Sequence, residues 1–169
     1  VTGNLDRPGG AMFSTPPLDL LGAAARVGHQ GGFARFRSRV RGLPEFGGEL
    51  PVAVLAEEIE TPGPGQIRAL LTSAGNPVLS VPNGARLERA LPGLDFMVAI
   101  DFYVNETTRH ADVILPPTFA LERDQFELAA FLVSVRNGAK AWRALTPRGP
   151  DQRHDWEICL ELMSRLELG

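Results

Sequence analysis

Ile67-Arg68-Ala69-Leu70-Leu71-Thr72, Phe96-Met97-Val98-Ala99-Ile100-Asp101 and Asp112-Val113-Ile114-Leu115-Pro116-Pro117 are three short apolar runs between residues 67 and 117. Each suits a buried strand bounded by turn residues. Between the first two lies Asn83-Gly84-Ala85-Arg86-Leu87-Glu88-Arg89-Ala90-Leu91. Leu87 and Leu91 stand one turn apart, which predicts a helix with Asn83 at its cap and Pro92-Gly93 at its end. Glu106 to His110 predicts a helical turn before the third run. Strand, helix, strand, helical turn, strand predicts a parallel sheet with crossover connections. The expected fold class is α/β: an open, mostly parallel sheet flanked by helices, Rossmann-like and three-layered, with a loop-rich N-terminal segment.

Upstream, Leu50 to Ile59 predicts a helix with Val54, Leu55 and Ile59 on one face and Glu57, Glu58 and Glu60 flanking it. Thr61-Pro62-Gly63-Pro64-Gly65 stops it. Further upstream, Arg35, Arg37, Arg39 and Arg41 alternate with other residues. They read as a solvated basic edge, or as a patch for an anionic substrate or partner. Pro16 to Arg26 fits a short helix with prolines in its first turn. Downstream, Phe126 to Val135 is apolar without a clear period, so strand and helix both stay open. His154 to Leu168 predicts a helix that packs through a stripe of Trp156, Cys159, Leu160, Met163 and Leu166.

Twelve of the 18 glycines and seven of the 14 prolines fall in the first 65 residues. That composition favours turns over core. The expected organisation is a glycine-rich connector over residues 1–48 and an α/β cofactor-binding domain over 49–169. A chain that begins in turns with little core of its own reads as a piece of something larger. The whole chain has 169 residues, 17 Lys plus Arg against 20 Asp plus Glu, a net charge of −3, 44% hydrophobic and 22% charged residues. These values indicate a globular domain with no electrostatic footprint for nucleic acid. No apolar run approaches the roughly 18 residues of a spanning helix and no signal pattern opens the chain, so no membrane segment and a cytoplasmic location are expected, with the periplasm left open. A single cysteine, Cys159, excludes an internal disulfide framework and a cysteine-ligated iron–sulfur cluster within this chain. Its place in the apolar stripe predicts a packed thiol.

Ligands of open parallel sheets bind beyond the carboxyl ends of the strands. Those ends carry Ser73-Ala74-Gly75-Asn76, then Asp101, then the loop after Pro116. Ser73 and Gly75 suit a tight loop whose amides face a phosphate, and Asn76 offers both a donor and an acceptor. Asp101 suits ribose hydroxyls or the N1 and N2 donors of guanine, and Arg109 and Arg123 suit phosphate or carboxylate. The same residues also serve as turn formers and caps. No GxGxxG or GxxxxGK[ST] occurs, and no nucleophile–base set is visible. His110 and His154 stand beside Asp112 and Asp155 without metal-ligand spacing. The residues by themselves indicate a nucleotide-phosphate-binding α/β domain without evident chemistry. A free-standing binding module and an interaction domain using the Arg35–Arg41 patch remain alternatives.

Ala74-Gly75-Asn76-Pro77-Val78-Leu79-Ser80, the run from Leu94 to Asp101, and Asn105-Glu106-Thr107-Thr108-Arg109-His110-Ala111-Asp112-Val113-Ile114-Leu115-Pro116-Pro117 together resemble molybdopterin oxidoreductases of the dimethyl-sulfoxide-reductase type. The front segment from Thr2 to Gly10 and the pair Asp155-Trp156 are also similar to that family, so the resemblance covers nearly the whole chain. It implies a catalytic subunit carrying bis(molybdopterin guanine dinucleotide) with molybdenum, and an iron–sulfur cluster only outside this chain. It also implies that the remaining domains of the parent enzyme are partners, and that this chain alone is inactive. By resemblance, Asn76 would contact the cofactor, Ile100 and Asp101 would lie at the guanosine, Arg123 would reach the cofactor, and Asp155 would face the guanine. The stretch between Arg123 and Asp155 departs from the family pattern. The resemblance places no catalytic residue and no metal ligand in this chain.

Overall fold

The computed structural model describes residues 2–11, 32–127 and 138–166. The expected helix over Pro16 to Arg26 lies outside them, as does the ambiguous apolar stretch from residue 128 onward. Contacts divide the chain into two units. One comprises Val1–Gln30 with Ala120–Arg148, the other Gly31–Phe119 with Gly149–Gly169.

The second unit carries the three expected strands, β3 (Ala69–Ser73), β4 (Phe96–Ile100) and β5 (Val113–Ile114). They pair in parallel in the order β3-β4-β5, with Leu71 opposite Val98 and Val98 opposite Val113. The fold is thus α/β with a parallel sheet flanked by helices, as the alternating apolar runs predicted. Helices α1 (Leu55–Glu60), α2 (Pro77–Ser80) and α3 (Gly84–Ala90) accompany it. The core gathers Ala56 and Ile59 of α1, Val78 of α2, Leu87 and Ala90 of α3, then Leu91, and Met97 of β4. Met97, Ala99 and Ile100 are buried because β4 is the central strand.

Three local departures from expectation have physical causes. The helix expected from Leu50 begins as a 3₁₀ turn at Val52–Val54, because Pro51 is extended (ψ 122°) and the residue before a proline is pushed out of the helical region. Asn83 occupies the cap of α3, but in the left-handed region (φ 59°) and without a side-chain capping bond. Gly84 follows because a Cβ there would lie 1.8 Å from the Val78 carbonyl oxygen. Helix α4 (Asp155–Arg165) forms, but its apolar stripe is not packed: Trp156 and Leu160 are each 57% exposed and Met163 44%. The helix is anchored instead by buried Ile158, which at 100° per residue lies on the side opposite the stripe. Cys159 is half-buried.

The alternating arginines run along β1 (Phe33–Arg37) and the turn that leads to β2 (Pro44–Phe46). They are internally paired. Arg35 donates to the fully buried Glu45, Arg39 pairs with Glu58 at 3.2 Å, and Arg41 with Glu57 at 2.8 Å. Arg37 donates to the Gly42 carbonyl. Glu57 and Glu58, expected to flank the apolar face of α1, are buried, with these guanidiniums and that of Arg86 neutralising them.

In the first unit, β6 (Gln125–Glu127) and β7 (Lys140–Trp142) form an antiparallel pair in which Gln125 faces Trp142 and Glu127 faces Lys140. The Lys140 ammonium lies 5.5 Å from the Trp142 ring centre.

Candidate functional site

Parallel register brings Ser73 opposite Ile100, so the loops after β3 and β4 leave the sheet side by side. They are tied together at once: the Ala74 N–H donates to the Ile100 carbonyl at 2.9 Å. Ala74 itself adopts a left-handed backbone (φ 51°) that a non-glycine residue seldom takes. The sharp bend of the first loop therefore falls at Ala74 rather than at Gly75. A Cβ on Gly75 would meet only ordinary contacts, the nearest at 3.6 Å.

The Asn76 side chain is engaged on both atoms. Its Nδ2 donates to Glu106 Oε2 at 2.8 Å, and its Oδ1 accepts from the Thr107 hydroxyl at 2.7 Å. Thr107 is fully buried and its Oγ1 in turn accepts from the Val78 N–H at 3.0 Å. The hydrogen bond from Asn76 holds the Glu106 carboxyl below its ordinary range, so Glu106 is ionised at neutral pH.

Asp101 shapes its own loop. Oδ1 accepts from the N–H groups of Phe102 (2.7 Å) and Tyr103 (3.1 Å), and Oδ2 accepts from Asn105 Nδ2 (3.2 Å). Of about four acceptor positions on a carboxylate, three are used. Asn105 closes the loop's far end by accepting from the N–H groups of Thr107 and Thr108. Ile100 is buried, so only its backbone reaches the loop edge. Phe102 packs edge-on against Tyr103 and Phe119, with ring centres 4.8 and 5.6 Å away.

Helix α4 brings Asp155 to the same end of the sheet. Ser73 and Asp155, 82 positions apart in sequence, line one cavity of about 490 Å³ together with Trp156, Cys159 and Leu160. The start of α4 is fixed from behind. Thr118, fully buried, bonds His154 Nδ1 at 2.7 Å, and the Thr118 N–H donates to the Arg153 carbonyl. The His154 N–H donates to Glu157 in a capping box, and the His154 ring stacks on that of Trp156. Arg109 pairs with Glu88, while the neighbouring His110 is held below its usual pKa by burial and by the Arg109 charge. Arg123, half-buried, follows the 3₁₀ turn Ala120–Glu122 in the other unit.

Thus Ser73, Gly75, Asn76, Ile100, Asp101 and Asp155 belong to one unit and Arg123 to the other. Sequence reasoning missed Glu106, Thr107 and Trp156 as parts of this edge. Thr107 carries no local signal, since its partners lie 29 and 31 residues away. Among the described residues no three His, Cys, Asp or Glu side chains gather as a metal would require. No helix among them is long and apolar enough to cross a membrane.

The family model for molybdopterin oxidoreductase matches residues 2–165. Among similar proteins, the assimilatory nitrate reductase catalytic subunit of Bacillus subtilis is 34% identical over 113 residues, covering 67% of this chain and 15% of that protein. The NADPH-Fe(3+) oxidoreductase subunit alpha of Geobacter sulfurreducens is 32% identical over 124 residues, 72% of this chain and 14% of that protein. The F420-dependent formate dehydrogenase subunit alpha of Methanocaldococcus jannaschii is 33% identical over 103 residues, 61% of this chain and 15% of that protein. The chain therefore spans about a seventh of the length of these relatives. With the family model covering nearly every residue, the chain belongs to the molybdopterin oxidoreductase family.

Proposed function

We propose that this chain is the part of a molybdenum-dependent oxidoreductase that holds a guanine dinucleotide arm of bis(molybdopterin guanine dinucleotide). When bound, that cofactor supplies two-electron redox chemistry at molybdenum for a small substrate. The observation that carries the reading is the shared cavity of Ser73 and Asp155 at the carboxyl end of β3, formed by residues far apart in sequence. The donor and acceptor types fit a guanine nucleotide. Asp155, whose Oδ1 also accepts from the Trp156 N–H at 2.9 Å, brings a carboxylate of the type that takes the N–H donors of the base, and the exposed Trp156 indole offers a flat apolar surface beside it. Ser73 adds a hydroxyl, and the loop through Gly75 and Asn76 adds backbone amides suited to phosphate oxygens. Asp101, with one acceptor position remaining, suits a single ribose hydroxyl better than the paired donors of guanine. Ile100 contributes through its backbone.

The parent enzyme's remaining domains, an iron–sulfur cluster among them, complete the site in this reading, and the isolated 169-residue chain is inactive. Hydrogen exchange of the full chain with and without GDP tests the binding. Slowed exchange confined to residues 73–77, 100–102 and the start of α4 is expected; unchanged exchange at all three overturns the reading. Stoichiometric molybdenum together with turnover by the 169-residue chain would overturn its inactivity.

A further inference from the structure

Chemistry alone fixes which way the Asn76 amide points. The Val78 N–H can only donate, so Thr107 Oγ1 accepts from it and turns its own hydrogen toward Asn76. An ionised carboxylate can only accept, so Glu106 demands the nitrogen of the Asn76 amide. The donor chain runs Val78 N–H to Thr107 Oγ1, Thr107 O–H to Asn76 Oδ1, and Asn76 Nδ2–H to Glu106 Oε2. Reversing the amide would set Nδ2 against the Thr107 hydroxyl and Oδ1 against a carboxylate. In the observed orientation one Nδ2 hydrogen remains unspent.

We propose that Glu106 and Thr107 are positioning residues that lock the Asn76 amide so that its remaining Nδ2 hydrogen serves an acceptor oxygen of the bound nucleotide. The inference rests on the nucleotide reading of the β3 loop and assigns that loop's orientation to two residues on a different segment. The burial of Thr107 and the lowered pKa of Glu106, which keeps its carboxylate ionised, both serve the lock. A buried hydroxyl cannot exchange its partners for water, and an ionised carboxylate cannot turn donor.

GDP titrations of the full chain test this. Asn76→Ala, Glu106→Ala and Thr107→Val each weaken GDP binding by about tenfold, the scale of one well-made hydrogen bond. Thr107→Ser, which keeps the hydroxyl, stays within about threefold of wild type, and Glu106→Gln, whose amide can also donate, falls between wild type and Glu106→Ala. Leu87→Ala, a core change away from the loops, lowers the melting temperature and leaves GDP affinity unchanged where the chain is folded. In wild type, NMR shows the Asn76 Nδ2 hydrogens exchanging with solvent more slowly than in an unfolded chain; this readout needs no variant to fold. If Asn76→Ala weakens binding while Glu106→Ala and Thr107→Val do not, the lock is wrong and the nucleotide reading stands. If the conservative variants lose as much as the disruptive ones, or affinity simply follows melting temperature, the role is structural and the proposal fails. If GDP binds wild type and Asn76→Ala equally, the loop is misread and the inference falls with it.

Discussion

The Asp101 carboxylate accepts from two backbone amides and from Asn105, so it organises residues 101–105 before any ligand arrives. Asp101→Ala therefore frees Phe102 and Tyr103 N–H. Their hydrogen exchange should quicken at least tenfold with little change in the exchange of β4 itself, measured amide by amide. An aspartate at a strand end was legible in the sequence as an acceptor. That its acceptors are mostly spent on its own loop was not, because the turn that aims the Phe102 and Tyr103 amides is visible only in three dimensions. Glu45 makes the same point more sharply. Nothing beside it in sequence marks it as buried, yet it takes the Arg35 guanidinium, the Arg35 N–H and the Gly48 N–H. The Arg35 hydrogen bond holds its carboxyl below the ordinary value of 4.5. Folded chains then bind fewer protons at this group than unfolded ones, so its contribution is complete above about pH 4.5 and is lost as pH falls through the lower folded value. Acid titration followed by hairpin amide shifts should show residues 33–46 loosening below pH 4.5, and Glu45→Gln should flatten that dependence.

The elements themselves were legible wherever periodicity and punctuation agreed. β4 and α3 fall within their expected spans, and β3 overruns its own by one residue at Ser73, because apolar runs bounded by Gly, Pro and Asn admit few other local structures. Helix α4 shows the limit. A stripe at helical spacing fixes the helix but not the side that packs, and here Ile158, on the opposite side, is the buried residue. The arginine row shows it again, since ion pairs spanning 10 to 19 residues leave no period to read. α3 is the element on which the core depends most. Leu87→Ala removes a side chain that is 1% exposed at the centre of the cluster joining α1, α2, α3 and β4, and should cost about 2–5 kcal/mol in chemical denaturation.

At the scale of the molecule, the family was readable because the stretches that resemble it are spread over nearly the whole chain, and the family model matches residues 2–165. Which residues share the cavity at the sheet's carboxyl edge was less readable, since Ser73 and Asp155 meet only through the placement of α4. Asn76 also differs from Asn83 in how it ages. Deamidation of asparagine starts when the next residue's backbone nitrogen closes on the side-chain carbonyl. Pro77 follows Asn76 and has no N–H to lose, so this route is shut at the amide that Glu106 and Thr107 hold. Asn83 precedes Gly84, the least hindered of neighbours, and its side chain caps nothing. In protein stored at mildly alkaline pH, peptide mass spectrometry should find aspartate and isoaspartate accumulating at position 83 while position 76 stays asparagine, so an aged preparation keeps its loop chemistry while α3 acquires charge at its start.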